Sequence, residues 1–233
     1  MSLGTIWTFK SQRSGRAIRA TAVLGGLQVD LPESYVHRQD NQTPEFKAKF
    51  PHGKIPAWEG KDGFIMFEST PIAKYLASLA PNSGLLGGSV SEAALVDQWI
   101  HFADTEIEVP QQFVNYTLVG YFQYSKPVHT IMIERVARAL TTLNEHLARR
   151  TYLVTERITV ADLVVAAIVQ NAASCTFDAE LRKQLPNVVR HMETIVNHPK
   201  LKGIYGPTEY TEKVKHFVSP PKEKKDKESA KAT

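Results

Sequence analysis

The sequence is short of the residues from which most chemistries start. Its 233 residues hold one cysteine, Cys175, which excludes an intrachain disulfide and suits a reducing compartment. That cysteine follows the apolar run 163–169, where the expected role is a small buried hydrophobe rather than a nucleophile. The eight histidines are scattered without HxxxH spacing and no CxxC occurs, so no metal is expected. Neither GxGxxG nor GxxxxGK[ST] is present, leaving nucleotide cofactors without their usual phosphate loop. No apolar run approaches the ~20 residues that span a bilayer, and no N-terminal signal pattern is seen. The expectation is a cytoplasmic protein that does not engage a membrane.

What is present is ordinary for a folded protein: 42% hydrophobic and 22% charged residues, in a length that suits one large domain or two small ones. The net charge of +4 comes from 28 basic against 24 acidic residues. Part of that excess sits at the C-terminal end, where 219–233 carries five lysines against three acids. No basic residues interleave with aromatics, so nucleic acid is an unlikely partner.

The organisation changes once along the chain. Residues 5–9 (TIWTF) read as a buried strand and 16–24 as a helix ended by Gly25-Gly26. Residues 28–31 read as a second strand limited by Pro32, and Pro44 opens a short helix through Lys49. After the turn residues 80–84 the strand signals vanish. A long helix from Ser91 to about Tyr124 is expected to break at Pro110. Val136, Leu140, Leu143 and Leu147 share one face of the next helix. Thr159 and Asp162 form a capping box ahead of the all-apolar run, so that the carboxylate is structural and the helix runs through the middle of a bundle.

The stretch 50–75, FPHGKIPAWEGKDGFIMFESTPIAKY, holds the strongest functional signal. It reads as a strand entered through Ile55-Pro56, a turn at 61–63, a strand 64–67 and a helix opening at Glu68-Ser69. Pro56 is a candidate cis peptide, which would turn the main chain of Ile55 toward an extended peptide ligand. Ser69 starts a helix whose free N–H groups attract a carboxylate, and Glu68 can hold an ammonium. An edge-strand proline and a plain N-cap serine are the alternatives. In the first turn Ser11 and Ser14 lie at or just before a helix N-terminus, where a hydroxyl donor would stabilise a thiolate; ordinary capping and turn roles compete.

These residues resemble the glutathione transferases, whose N-terminal half carries a proline after Val or Ile and a Glu-Ser pair at the next helix. The resemblance implies an N-terminal thioredoxin-like α/β domain with a cis-proline (1–80), a linker (81–90) and an all-α C-terminal bundle (91–218), with 219–233 as a charged disordered tail. It implies glutathione as co-substrate, held by Gln42, Lys54, Ile55, Pro56, Glu68 and Ser69, with Ser11 as first choice and Ser14 as second for the thiol-stabilising residue. Tyr116 and Tyr121, with Tyr124, are the candidates for the wall of an acceptor pocket. A homodimer is implied as well. The segments 98–110, 152–163 and 181–190 are similar to the transferase-like N-terminal domain of the gamma subunit of the eukaryotic elongation factor 1 complex. Two readings follow: a stand-alone, gamma-like transferase of fungal type that conjugates the glutathione thiolate to small hydrophobic electrophiles, or a non-catalytic interaction module that holds subunits of the elongation complex.

Overall fold

A computed structural model describes residues 1–217. Strand β1 (Gly4–Trp7) is followed by helix α1 (Ser14–Leu24), a loop with a single helical turn at Asp40–Gln42, and helix α2 (Pro44–Lys49). Strands β2 (Ala57–Gly60) and β3 (Ile65–Phe67) then lead into helix α3 (Ser69–Ser78). The three strands form one antiparallel sheet in sequence order, with Ile6 opposite Trp58 and Trp58 opposite Met66.

The expected strand over 28–31 is reduced to one parallel bridge between Thr5 and Asp30. Asp30 N–H donates to Gly4 O and Ile6 N–H donates to Asp30 O, each at 2.9 Å. The next rung of a parallel ladder would need an N–H at residue 32, and Pro32 has none. The proline therefore ends the pairing earlier than its apolar neighbours suggest.

The remainder is helical: α4 (Val90–Ala103), a π-helical turn (Asp104–Glu108), α5 (Val109–Leu118), α6 (Lys126–Leu147), α7 (Val160–Ala173), α8 (Ala179–Gln184), α9 (Pro186–Val196) and α10 (Lys202–Tyr205). The break near Pro110 is present, but its form is a wide turn in which Val109 N–H reaches back five residues to Asp104 O. With no N–H at Pro110, nearby carbonyls lose their helical donor, and Arg135 bridges to Thr105 O and the Glu106 carboxylate. The helix also stops at Leu118, short of Tyr124; Gly120, at φ +81°, turns the chain away.

Every residue of α7 is buried, as its unbroken apolar composition requires. It packs against α1, α4 and α9, joining the sheet-bearing half to the helical half through one continuous core. Its N-terminus is fixed by Asp162, which accepts from the Thr159 N–H at 2.8 Å and the Leu153 N–H at 2.8 Å, and from His191 Nε2 at 2.9 Å. A smaller cluster of Phe46, Phe50 and Ala57, covered by Trp7 and Ile55, ties α2 to the sheet. The expected tail 219–233 lies outside the described residues.

Candidate functional site

The site is assembled from three chain entries on the sheet side and one helical wall. At the entry to β2, the Ile55-Pro56 peptide is cis. Asn41 Nδ2 and Gln42 Nε2 both donate to Gly53 O, at 2.6 and 3.2 Å, and so pin the loop that delivers Lys54. Glu68 adopts φ +74°, rare for a residue with a Cβ, and it contributes no side-chain cap to α3. The first-turn N–H groups of α3, which a helix cannot satisfy internally, are thus left for another acceptor. The third entry is the first turn of α1, carrying Arg13 and Ser14.

Opposite stand Asp104 and Glu108 of the π turn, Gln112 of α5, and Val164, Ala167, Ile168 and Asn171 of α7. Together these groups enclose a cavity of about 260 Å³, of the size that holds a small ligand. The four α7 residues are spaced i, i+3, i+4 and i+7, one face of a helix.

Of the residues expected from the sequence, Lys54, Ile55, Pro56, Glu68, Ser69 and Ser14 line this one cavity. Ser11 is exposed in the preceding turn and is not among the lining residues. Gln42 stands behind the cavity, holding the loop at Gly53. Tyr116 and Tyr121 lie elsewhere: they meet edge to face at 5.7 Å in an exposed aromatic cluster, and the Tyr121 hydroxyl accepts from Arg38. Tyr124 stacks on Phe217 at 5.1 Å. The tyrosine wall supposed a helix continuing to Tyr124, and the stop at Leu118 removes it.

Four features escaped the sequence reading. Gln12 Nε2 donates to Ile55 O at 2.8 Å, so the carbonyl next to the cis bond already holds a protein partner; the Gln12 Oε1 in turn accepts from the Thr8 hydroxyl. The Ile55 N–H enters no hydrogen bond among the described residues. The carboxylates of Asp104 and Glu108 face the cavity four positions apart, and burial pushes both above the ordinary carboxylate range. Asn171 is 3% exposed, and its Nδ2 donates to Glu108 Oε2 at 3.3 Å. An acidic pair just before a helix-breaking proline was the available signal for the two carboxylates.

Cys175 is buried and away from the cavity, its thiol pushed up by that burial. No group of three potential metal ligands occurs among the described residues. No helix there is long and apolar enough to cross a membrane.

Comparison with known proteins identifies the architecture. The glutathione S-transferase N-terminal domain model matches residues 9–84, and the C-terminal domain model matches 108–199. Elongation factor 1-gamma of Mus musculus is 36% identical over 93% of this chain, and that of Danio rerio 34% over the same share. The chain spans about half the length of these curated relatives, 49% in each case. Among solved structures, the GST-like domain of elongation factor 1-gamma from Saccharomyces cerevisiae superposes with a TM-score of 0.81 at 25% identity, covering 94% of this chain and 100% of that domain.

Proposed function

We infer the role of this chain from its family: it belongs to the glutathione S-transferase family, with the models of both family domains matched in order. We propose that it acts as an interaction module of the elongation factor 1-gamma kind, holding a nucleotide-exchange subunit of the translation elongation machinery in the cytoplasm. The observation that carries this reading is the extent of the likeness. Identity of 34–36% runs across 93% of the chain, through both halves, toward elongation factor 1-gamma. A shared fold alone would not carry it, because one fold hosts unrelated roles. The test is to mix the purified chain with the exchange subunit of a eukaryotic elongation factor 1 complex and resolve the mixture by size exclusion. Co-elution supports the module; separate elution of two folded proteins removes it.

A second reading, glutathione transfer, has a specific observation in its favour. Ser14, Lys54, Ile55, Glu68 and Ser69 line one cavity, so a γ-glutamyl end at Glu68-Ser69 and a thiolate near the N-terminus of α1 can be accommodated together. In this reading Ser14 donates to the thiolate. Ser11 does not, because it stands outside the cavity. Isothermal titration of glutathione, with initial rates on an aryl halide, tests it: turnover should fall at least about 10-fold in Ser14→Ala and stay unchanged in Ser11→Ala. The two readings are compatible, since a binding cleft and a partner surface occupy different parts of a fold.

A further inference from the structure

The glutathione-type contacts occupy the sheet side of the cleft and leave its helical wall unassigned. That wall has an unusual composition for a pocket meant to take neutral, apolar molecules. Three hydrogen-bond acceptors face inward: the Asp104 carboxylate, the Glu108 carboxylate and the Asn171 side-chain oxygen. Asp104 sits toward α3, beside Thr70 and Glu68. Glu108 sits deeper against α7, where its protein partners are the amides of Asn171 and Gln112, at 3.3 and 3.4 Å.

Asn171 adds a second and independent feature. It is 3% exposed, it lines the cavity, and its Oδ1 is buried without a hydrogen-bond partner. A buried acceptor left unpaired is costly, and native proteins rarely keep one without a use. Its Nδ2 is committed to Glu108, which leaves Oδ1 as an acceptor in the same corner as that carboxylate. Glu108 belongs to none of the ion pairs among the described residues; the Arg13 guanidinium acts on it only through its charge. Beside these polar groups run Val164, Ala167 and Ile168, an apolar strip on the same face of α7.

A carboxylate and an amide oxygen next to an apolar strip complement a donor-rich cation at the end of an alkyl stem, because such groups bury the stem and present the charged head. We propose that the inner end of the cleft is a subsite for an alkylguanidinium or alkylammonium group, held by the Glu108 carboxylate and the Asn171 Oδ1, with its stem against Val164, Ala167 and Ile168. The second ligand of this cleft is then an organic cation. This goes beyond either proposed role and does not require glutathione to bind.

The test uses NMR titration of the full chain with n-butylguanidinium and with n-butylurea, a neutral mimic of similar shape, following the Asn171 and Gln112 side-chain amides. The expected result is a saturable shift with the cation at an affinity at least about 10-fold above that of the urea, a difference of about 1.4 kcal/mol. Glu108→Gln, which keeps shape and removes charge, should weaken the cation by a similar factor and leave the urea unchanged. An acetylated Gly-Arg-Gly amide distinguishes the source of the group: binding at least as tight as that of n-butylguanidinium indicates an arginine side chain, and weaker binding a free small molecule. Equal affinities for cation and urea in the wild-type chain overturn the subsite, and that comparison needs no variant to fold. So does a cation affinity that Glu108→Gln leaves unchanged. Glutathione titrated in a separate sample reports on the transferase reading alone.

Discussion

Single residues decide two separate matters here, the anchoring of α7 and the response to acid. Asp162 is fully buried and accepts hydrogen bonds from Thr159, Leu153 and His191. Its replacement by alanine strands a buried histidine and two buried or half-buried N–H groups, so the expected loss is about 3–5 kcal/mol. Thr159→Ala removes one hydroxyl of the capping box and should cost about 1 kcal/mol. Urea unfolding measures both, and equal losses for the two would contradict the central place given to the carboxylate.

The acid response follows from His129 and His146. Burial lowers the proton affinity of both, while hydrogen bonds to Lys215 O and Leu153 O partly oppose it. A histidine whose folded-state pKa lies below its unfolded value stabilises the fold above the ordinary histidine range, near 6.5, and that contribution is lost as pH falls through the folded value. Stability should therefore decline from pH 7.5 toward acid, and His129→Gln with His146→Gln should flatten the decline. Urea midpoints at several pH values check this; an unchanged slope in the double variant would contradict it. Residue by residue, the cleft was partly legible. Pro56, Glu68 and Ser69 carry their chemistry in local sequence, whereas the choice between Ser11 and Ser14 depends on where α1 begins, a boundary that composition leaves open by a turn.

At the scale of elements, legibility followed the range of the interactions. The turn of α2 is set by Thr43 and Pro44, which are adjacent, and the Thr43 hydroxyl accepts from the Phe46 N–H at 3.2 Å. Thr43→Ala should cost about 1 kcal/mol and speed hydrogen exchange at Phe46, loosening the small cluster beneath Lys54. Unchanged exchange at that amide would show that packing of Phe46 and Phe50 holds the helix without its cap. By contrast, the loss of the 28–31 strand turns on one missing donor in a ladder to β1, and the π turn on how α4 and α5 meet α6 through Arg135. Neither is written in the hydrophobic period. The α7 stripe at 164, 167, 168 and 171 was readable by its spacing, yet a helix buried on every side gives no hint of which face borders a cavity.

Across the whole molecule, α7 welds the two halves into one core, and the cleft lies where the sheet side meets the helical side. A partner that binds the outer surface need not disturb that cleft, so glutathione and an elongation-factor subunit should bind without competing. The proposed interaction role makes the most direct measurement a sedimentation-velocity titration of this chain with the purified nucleotide-exchange subunit of an elongation factor 1 complex. The account predicts a stoichiometric complex with Kd below about 1 µM, corresponding to about −8 kcal/mol, unchanged by saturating glutathione. Two species sedimenting independently at ~50 µM, well above that Kd, would contradict it.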